Sequence, residues 1–217
     1  MTATIKAVIF DFGGVFTDSP FHAFSAYGEK IGASQQQVSD IVFGGYAVDS
    51  DHPWHKVERG EISLECAREG IMALGRKQGL EVDIWDVFMS MAENGGGLRE
   101  DLVGYVSTIR AAGLATGIIT NNVAEFRDHW RGMLPVAELF DFVVDSSEVG
   151  MRKPNPAIFE KALAISGFRA EQVIFVDDFE GNVLAAEAMH IRSILVDGDG
   201  AKTIADLDTI LRLNTAR

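Results

Sequence analysis

At 217 residues and 47% hydrophobic content, the chain is long enough to bury one sizeable core with an inserted subdomain. A net charge of −13 excludes the cationic surface that nucleic acid or an anionic membrane would require. Cys66 is the only cysteine, which excludes an intrachain disulfide and suits a reducing cytoplasm.

In chain order, residues 5–10 are β-branched and aromatic-rich and read as a strand. The start runs directly into Ala7-Val8-Ile9-Phe10, so neither a leader peptide nor a membrane span of ~20 apolar residues is expected. Residues 20–94 carry helical periods and no convincing strand, with Ser63 as a helix N-cap. Asn94-Gly95-Gly96-Gly97 closes this stretch as a flexible joint.

Beyond it, helices are expected over 99–112, 124–133, 156–166, 181–189 and 203–211. Strands are expected over 114–119, 142–144, 173–176 and 194–196. Pro156 suits a first helical turn, and Gly113 and Gly167 suit helix stops. These strands lack clean alternation, as strands buried on both faces do. The fold class is therefore α/β, a doubly wound, Rossmann-like parallel sheet with an inserted α-helical subdomain. The expected core is 1–17 with 98–217, and the insert is 18–97.

Four patches fall at strand ends, where open α/β sheets bind ligands. In Val8-Ile9-Phe10-Asp11-Phe12-Gly13-Gly14, a carboxylate at a strand end can attack phosphorus, although a turn Asp before glycines is an even alternative. In Gly117-Ile118-Ile119-Thr120-Asn121-Asn122, a hydroxyl and backbone amides can hold phosphate oxygens, or simply cap a helix. In Gly150-Met151-Arg152-Lys153-Pro154, Pro154 is expected to hold Lys153 extended so that its ammonium reaches Asp11; a solvated lysine is the plainer reading. In Phe175-Val176-Asp177-Asp178-Phe179-Glu180-Gly181-Asn182, two adjacent carboxylates repel, and a hard divalent cation is the natural offset.

In order and spacing, Asp11, Thr120, Lys153-Pro154 and Asp177-Asp178 with Asn182 resemble the four motifs of the haloacid-dehalogenase (HAD) superfamily. The resemblance spans nearly the whole chain and places 18–97 where that family carries a C1 cap. Asp-x-Gly-Gly-Val, Arg59-Gly60-Glu61-Ile62-Ser63 and Gly150-Met151-Arg152-Lys153-Pro154 further resemble the phosphatase domain of soluble epoxide hydrolases and the bacterial α-glucose-1-phosphate phosphatases.

The resemblance implies a Mg²⁺-dependent hydrolase of small phosphate esters, with Asp11 as nucleophile and metal ligand. It implies that the Gly13 carbonyl and Asp178 bind the metal, with Asp177 in support and Asn182 steadying their loop. Thr120 and the Asn121 amide would hold phosphate oxygens, and Lys153 would neutralise the phosphoryl group and orient Asp11. Asp18 falls at the family's cap-proximal flap and is a candidate substrate contact, with a hinge or turn role as the competing reading.

One position departs from the pattern. Phosphatases of the family carry an acid–base Asp two residues after the nucleophile, and here that residue is Gly13. Three readings follow: a phosphatase for esters that leave well, such as sugar 1-phosphates; a metal-independent dehalogenase; and a module that binds phosphorylated ligands and turns them over poorly. His22, His52, His55 and Trp54 lie in the insert and are candidates for the substrate side, with packing roles favoured. Met89 and Met91 read as helix packing, and Cys66 as buried and inert. Monomer and homodimer are both left open.

Overall fold

The computed structural model describes residues 4–19, 23–94 and 97–212. Five parallel strands form one sheet: β1 (Ala7–Phe10), β2 (Ala115–Thr120), β3 (Phe142–Asp145), β4 (Val173–Asp177) and β5 (Arg192–Leu195), ordered β3-β2-β1-β4-β5. The order reverses direction at β1, which is the topological switch point of a doubly wound sheet.

Helices α1 (Ala23–Ile31), α2 (Gln35–Val42), α3 (Pro53–Glu58), α4 (Leu64–Lys77) and α5 (Ile84–Asn94) follow β1 before the chain returns to the sheet. The remainder are α6 (Glu100–Ala111), α7 (Arg127–Gly132), α8 (Val136–Leu139), α9 (Ser146–Val149), α10 (Pro156–Ser166), α11 (Glu180–Ala188) and α12 (Gly200–Leu211).

Strand alternation builds two cores. Val8 and Phe10 of β1 face one side with Ile118, Ile174 and Val176, packing against Leu102, Val106 and Ile109 of α6 and Leu207 of α12. Ala7 and Ile9 face the other side with Ile119, Val173 and Phe175, packing against Ile158 and Phe159 of α10 and Ala186 of α11. Both faces are therefore covered over the centre of the sheet, where β1 and β4 are buried at every position, while the edge strand β5 keeps Arg192 and Leu195 exposed. Helices α1–α5 share a third cluster around Phe24, Ile41, Trp54, Ile71 and Ile84, and it reaches the sheet domain through Val123 and Phe126.

Local chemistry sets the helix ends. Ser63 caps α4 by accepting from the Cys66 N–H. Asn155 caps α10, Pro156 opens it, and Gly167 ends it at φ 72°. The stretch expected as one helix over 124–133 instead begins as a short 3₁₀ turn, Ala124–Phe126, before α7. Cys66 is exposed rather than buried, because it lies on the solvent side of α4, opposite the inward Ala67 and Ile71. Met89 is likewise exposed, at 61%, while Met91 packs on the third cluster as expected. Gly95, Gly96 and His22 lie outside the described residues.

Candidate active site

The C-terminal ends of β1, β2 and β4 gather the four patches. Asp11 directly follows β1, and its N–H donates to the Val176 carbonyl, so its position is fixed by the β1–β4 ladder. The Asp11 Oδ1 accepts from the Phe12 N–H at 2.7 Å and lies 2.9 Å from the Lys153 Nζ. The same Nζ donates to the Asp177 Oδ2 at 2.7 Å. Lys153 is fully buried, so the solvated-lysine reading is set aside.

Asp177 is heavily used. Its Oδ1 accepts from the Phe179 N–H, and the Asn182 Nδ2 donates to both its oxygens at 3.0 and 3.1 Å. Asp178 hydrogen-bonds with the Ser19 side chain. Asp11, Asp177 and Asp178 each present a carboxylate oxygen, all within 4.8 Å of one another.

Three carboxylates thus face one ammonium. Burial, then the charges of Asp177 and Asp178, push the Asp11 carboxyl well above the usual range, against the pull of Lys153. Burial and the adjacent Asp177 push Asp178 up to about 6. Burial works against the Lys153 ammonium, yet Asp11 and Asp177 outweigh it and hold its pKa above the ordinary value. The local excess of negative charge and the carboxylate spacing fit a hard divalent cation.

The glycines after Asp11 differ sharply. Gly14 adopts φ +76°, and a Cβ there would sit 2.0 Å from the Asp178 carboxylate. Only glycine fits, because the backbone passes directly under a candidate metal ligand. At Gly13 a Cβ would meet nothing within 4 Å, and φ is ordinary. The missing acid–base carboxylate is therefore an absent side chain in a backbone that has room for one.

Thr120 ends β2 and is buried beside this cluster of strand ends. The Asn121 side chain clamps the main chain of Lys153: its Nδ2 donates to the Lys153 carbonyl at 2.9 Å, and its Oδ1 accepts from the Lys153 N–H at 2.8 Å. Lys153 lies in a turn closed by the Asn155 N–H on the Arg152 carbonyl, and the Lys153–Pro154 bond is cis. Asp18 sits near the base of the helical insert, 3.5 Å from Arg99, whose Nη1 donates to the Gly14 and Val15 carbonyls.

A buried seam joins the helical insert to the sheet domain, and the sequence reading missed it. Arg152 is fully buried. Its Nε donates to the Glu58 Oε2 at 2.6 Å, its Nη1 donates to the Val48 carbonyl, and its guanidinium lies 4.8 Å over the Tyr46 ring. The Glu58 Oε1 accepts from the Trp54 Nε1 at 2.8 Å and the Tyr46 hydroxyl at 3.2 Å. Arg59 pairs with Asp49 and Glu61 at the rim. The one visible signal was the Trp54–Glu58 spacing, which places both on one helix face.

His52 and His55 belong to this seam. His52 caps α3 by accepting from the Trp54 N–H. The His55 Nδ1 faces the Ser50 N–H, which can only donate, so the Nε2 carries the proton and donates to the Phe43 carbonyl at 2.8 Å. Burial first, then Arg152, lower His55 to about 4. Its ring is neutral and committed to packing, which does not suit a proton donor to substrate.

A family model for haloacid dehalogenase-like hydrolases matches residues 5–190. The chain is 32% identical over 193 residues to the sesquiterpene phosphatase astK of Aspergillus oryzae, covering 87% of this chain and 88% of that protein. It is 26% identical over 184 residues to the bifunctional epoxide hydrolase 2 of Rattus norvegicus, covering 79% of this chain but only 33% of that larger protein. Among solved structures, a HAD-like family hydrolase of Porphyromonas gingivalis matches at TM-score 0.67 and 25% identity over 98% of this chain and 100% of that one. The fold is also shared with a HAD family enzyme of Bacteroides thetaiotaomicron in complex with magnesium and inorganic phosphate, at TM-score 0.62 and 19% identity over 89% of this chain and 95% of that one. A dehalogenase shares it too, at TM-score 0.68 and 17% identity over 99% of this chain and 100% of that one. The chain belongs to the haloacid dehalogenase-like hydrolases.

Proposed function

We propose that the protein is a Mg²⁺-dependent phosphatase of small phosphate esters that works through an aspartyl-phosphate on Asp11. The observation that carries this reading is the charge arrangement: Lys153 bridges Asp11 and Asp177 at 2.9 and 2.7 Å, and three carboxylate oxygens lie within 4.8 Å. A haloacid needs no such excess of buried acid, whereas a phosphate ester with Mg²⁺ does.

Asp11, Asp178 and the Gly13 carbonyl would hold Mg²⁺, with Asp177 and Asn182 steadying the loop. The cation would supply charge neutralisation for a phosphoryl group. Asp11 attacks phosphorus through the oxygen not held by Phe12 and Lys153, and the P–O bond to the ester oxygen breaks. The alcohol leaves as its oxyanion and takes a proton from solvent. Water then hydrolyses the aspartyl-phosphate to free Asp11 and inorganic phosphate. Lys153 and Thr120 hold equatorial phosphoryl oxygens, joined by the Asn121 backbone amide. The Asn121 side chain is already committed to the main chain of Lys153. Residues 18–97 act as a cap over a core of 1–17 and 98–217, with Asp18 near its hinge. The single thiol suits a cytoplasmic setting, and no described helix is long and apolar enough to cross a membrane.

Gly13 limits the chemistry. With no carboxylate there, esters that leave without protonation, such as sugar 1-phosphates, are the favoured substrates. The same residue favours the second reading, a dehalogenase. A screen for phosphate release over many metabolites, with and without Mg²⁺, separates the two. Phosphate release that needs Mg²⁺ and falls by at least ~10³-fold in Asp11→Asn supports the phosphatase. Activity that survives this substitution overturns the mechanism. Chloride release from haloacids without metal selects the dehalogenase, and tight ligand binding without turnover selects a binding module.

A further inference from the structure

We propose that Arg152 and Glu58 are positioning residues that place Lys153 by seating the helical insert. Their side chains close a circuit that passes through Lys153 itself. Glu58 takes the Arg152 Nε at 2.6 Å and the Tyr46 hydroxyl at 3.2 Å. The Tyr46 hydroxyl faces the Asn121 Nδ2 at 3.4 Å. Asn121 grips both main-chain polar groups of Lys153, and Lys153 is the next residue after Arg152. The circuit runs Asn121, Tyr46, Glu58, Arg152, Lys153 and back to Asn121. Tyr46 and Glu58 come from the helical insert, and the rest from the sheet domain.

Several features argue that this is more than adhesion between two parts. Arg152 is fully buried and Glu58 is 2% exposed, so neither charge is tolerable without the other. The guanidinium is fixed on three sides, by Glu58, the Val48 carbonyl and the Tyr46 ring. The Tyr46 ring in turn packs perpendicular to that of Phe179, the residue after Asp178, with ring centroids 5.0 Å apart. The insert therefore touches two loops that carry the charged groups of the site, one through Arg152 and one through Phe179. With the insert displaced, Glu58 and Tyr46 leave the circuit, and the Arg152–Lys153 segment loses its outer support.

The inference rests on the phosphatase reading only for its kinetic arm. Two variants are compared with the wild-type protein: Glu58→Gln, which keeps the shape and removes the charge, and Tyr46→Phe, which keeps the ring and removes the hydroxyl. Turnover of p-nitrophenyl phosphate with Mg²⁺ is measured beside acetylation of Lys153 by acetic anhydride, read by peptide mass spectrometry. Exposed Lys30 serves as the internal reference. Circular dichroism reports folding. If Glu58→Gln does not fold, Tyr46→Phe decides alone.

In Glu58→Gln, kcat is expected to fall about tenfold or more while KM moves less than about threefold, since misplacement acts on the reacting geometry. Lys153 acetylation, normalised to Lys30, is expected to rise about fivefold, with Tyr46→Phe shifting both in the same direction by less. A purely structural pair would lower the unfolding midpoint and leave both readings of the folded protein unchanged, which overturns the proposal. Movement of only one of the two readings also overturns it. If the wild-type protein releases no phosphate, the phosphatase reading fails and the acetylation arm still decides the positioning role.

Discussion

The crevice at the strand ends and the seam beneath the helical insert are both buried and charged, yet they are balanced differently. In the seam, Arg152 meets Glu58, and almost every remaining polar atom there has a partner; among the described residues the Arg152 Nη2 and the His52 Nε2 do not. In the crevice, three carboxylates face one ammonium; burial raises Asp11 and Asp178 there just as it raises Glu58 in the seam, so the difference lies in the count of charges. The charges of the Arg152–Glu58 pair match without a ligand, and those of the crevice do not. A buried group that lacks its opposite charge marks where a ligand belongs, and a matched one marks where structure is held.

The contrast breaks most visibly at the seam. Arg152→Met leaves Glu58 buried and alone, and is expected to cost about 3–5 kcal/mol in urea unfolding. The double variant Arg152→Met with Glu58→Leu removes both charges and is expected to recover most of that loss. An additive double variant would show that the two residues do not act as a pair.

In the crevice, Gly13→Asp adds a carboxylate where the backbone leaves room. Turnover is expected to rise by roughly 10²-fold, within the usual range for general acid–base catalysis. The initial burst of product expected from slow hydrolysis of the Asp11 intermediate should disappear. A wild-type progress curve linear from time zero, with unchanged kinetics in the variant, would contradict this.

Gly14→Ala tests the opposite case one residue on. The added methyl collides with the Asp178 carboxylate at a positive φ. A loss of about 1–3 kcal/mol in stability is expected from the strained backbone. Weaker Mg²⁺ binding by calorimetry should accompany it, and unchanged Mg²⁺ binding would remove Asp178 from the metal site.

The smallest effect belongs to His55. Its folded pKa, about 4, lies below the ordinary 6.5, so the unfolded chain binds the extra proton first. Stability from its burial is present above pH 6.5 and is lost as pH falls toward 4. A His55→Gln variant should therefore lose less stability than the wild-type protein over that window, by about 1–2 kcal/mol in urea midpoints measured at each pH. Parallel curves would show that His55 does not titrate as placed.

What the sequence disclosed follows the range over which each signal acts. The α10 boundaries were legible from Asn155, Pro156 and Gly167, because caps and stops act over a few residues. The central strands β1 and β4 were legible because burial on both faces leaves unbroken apolar runs, whereas the exposed start of the edge strand β5 at Arg192 was not. Asp11, Thr120, Lys153 and Asp177–Asp178 were legible as candidates because chemistry at strand ends leaves short motifs. Glu58 and Arg152 were not, since they are 94 positions apart and each alone resembles a solvated charge. Cys66 and Met89 misled for the converse reason: apolar character favours burial, but the face of a helix decides it.

Because the Arg152–Glu58 contact is sealed from water, dissolved ions do not reach it. Surface pairs, such as Arg68 with the exposed Glu65 on α4, weaken in physiological salt, where fields fade over ~8 Å. The pair beneath the insert is screened much less. In a chain of net charge −13, whose surface repulsion rises as salt is withdrawn, the grip between insert and sheet changes least while the outer electrostatics shift around it.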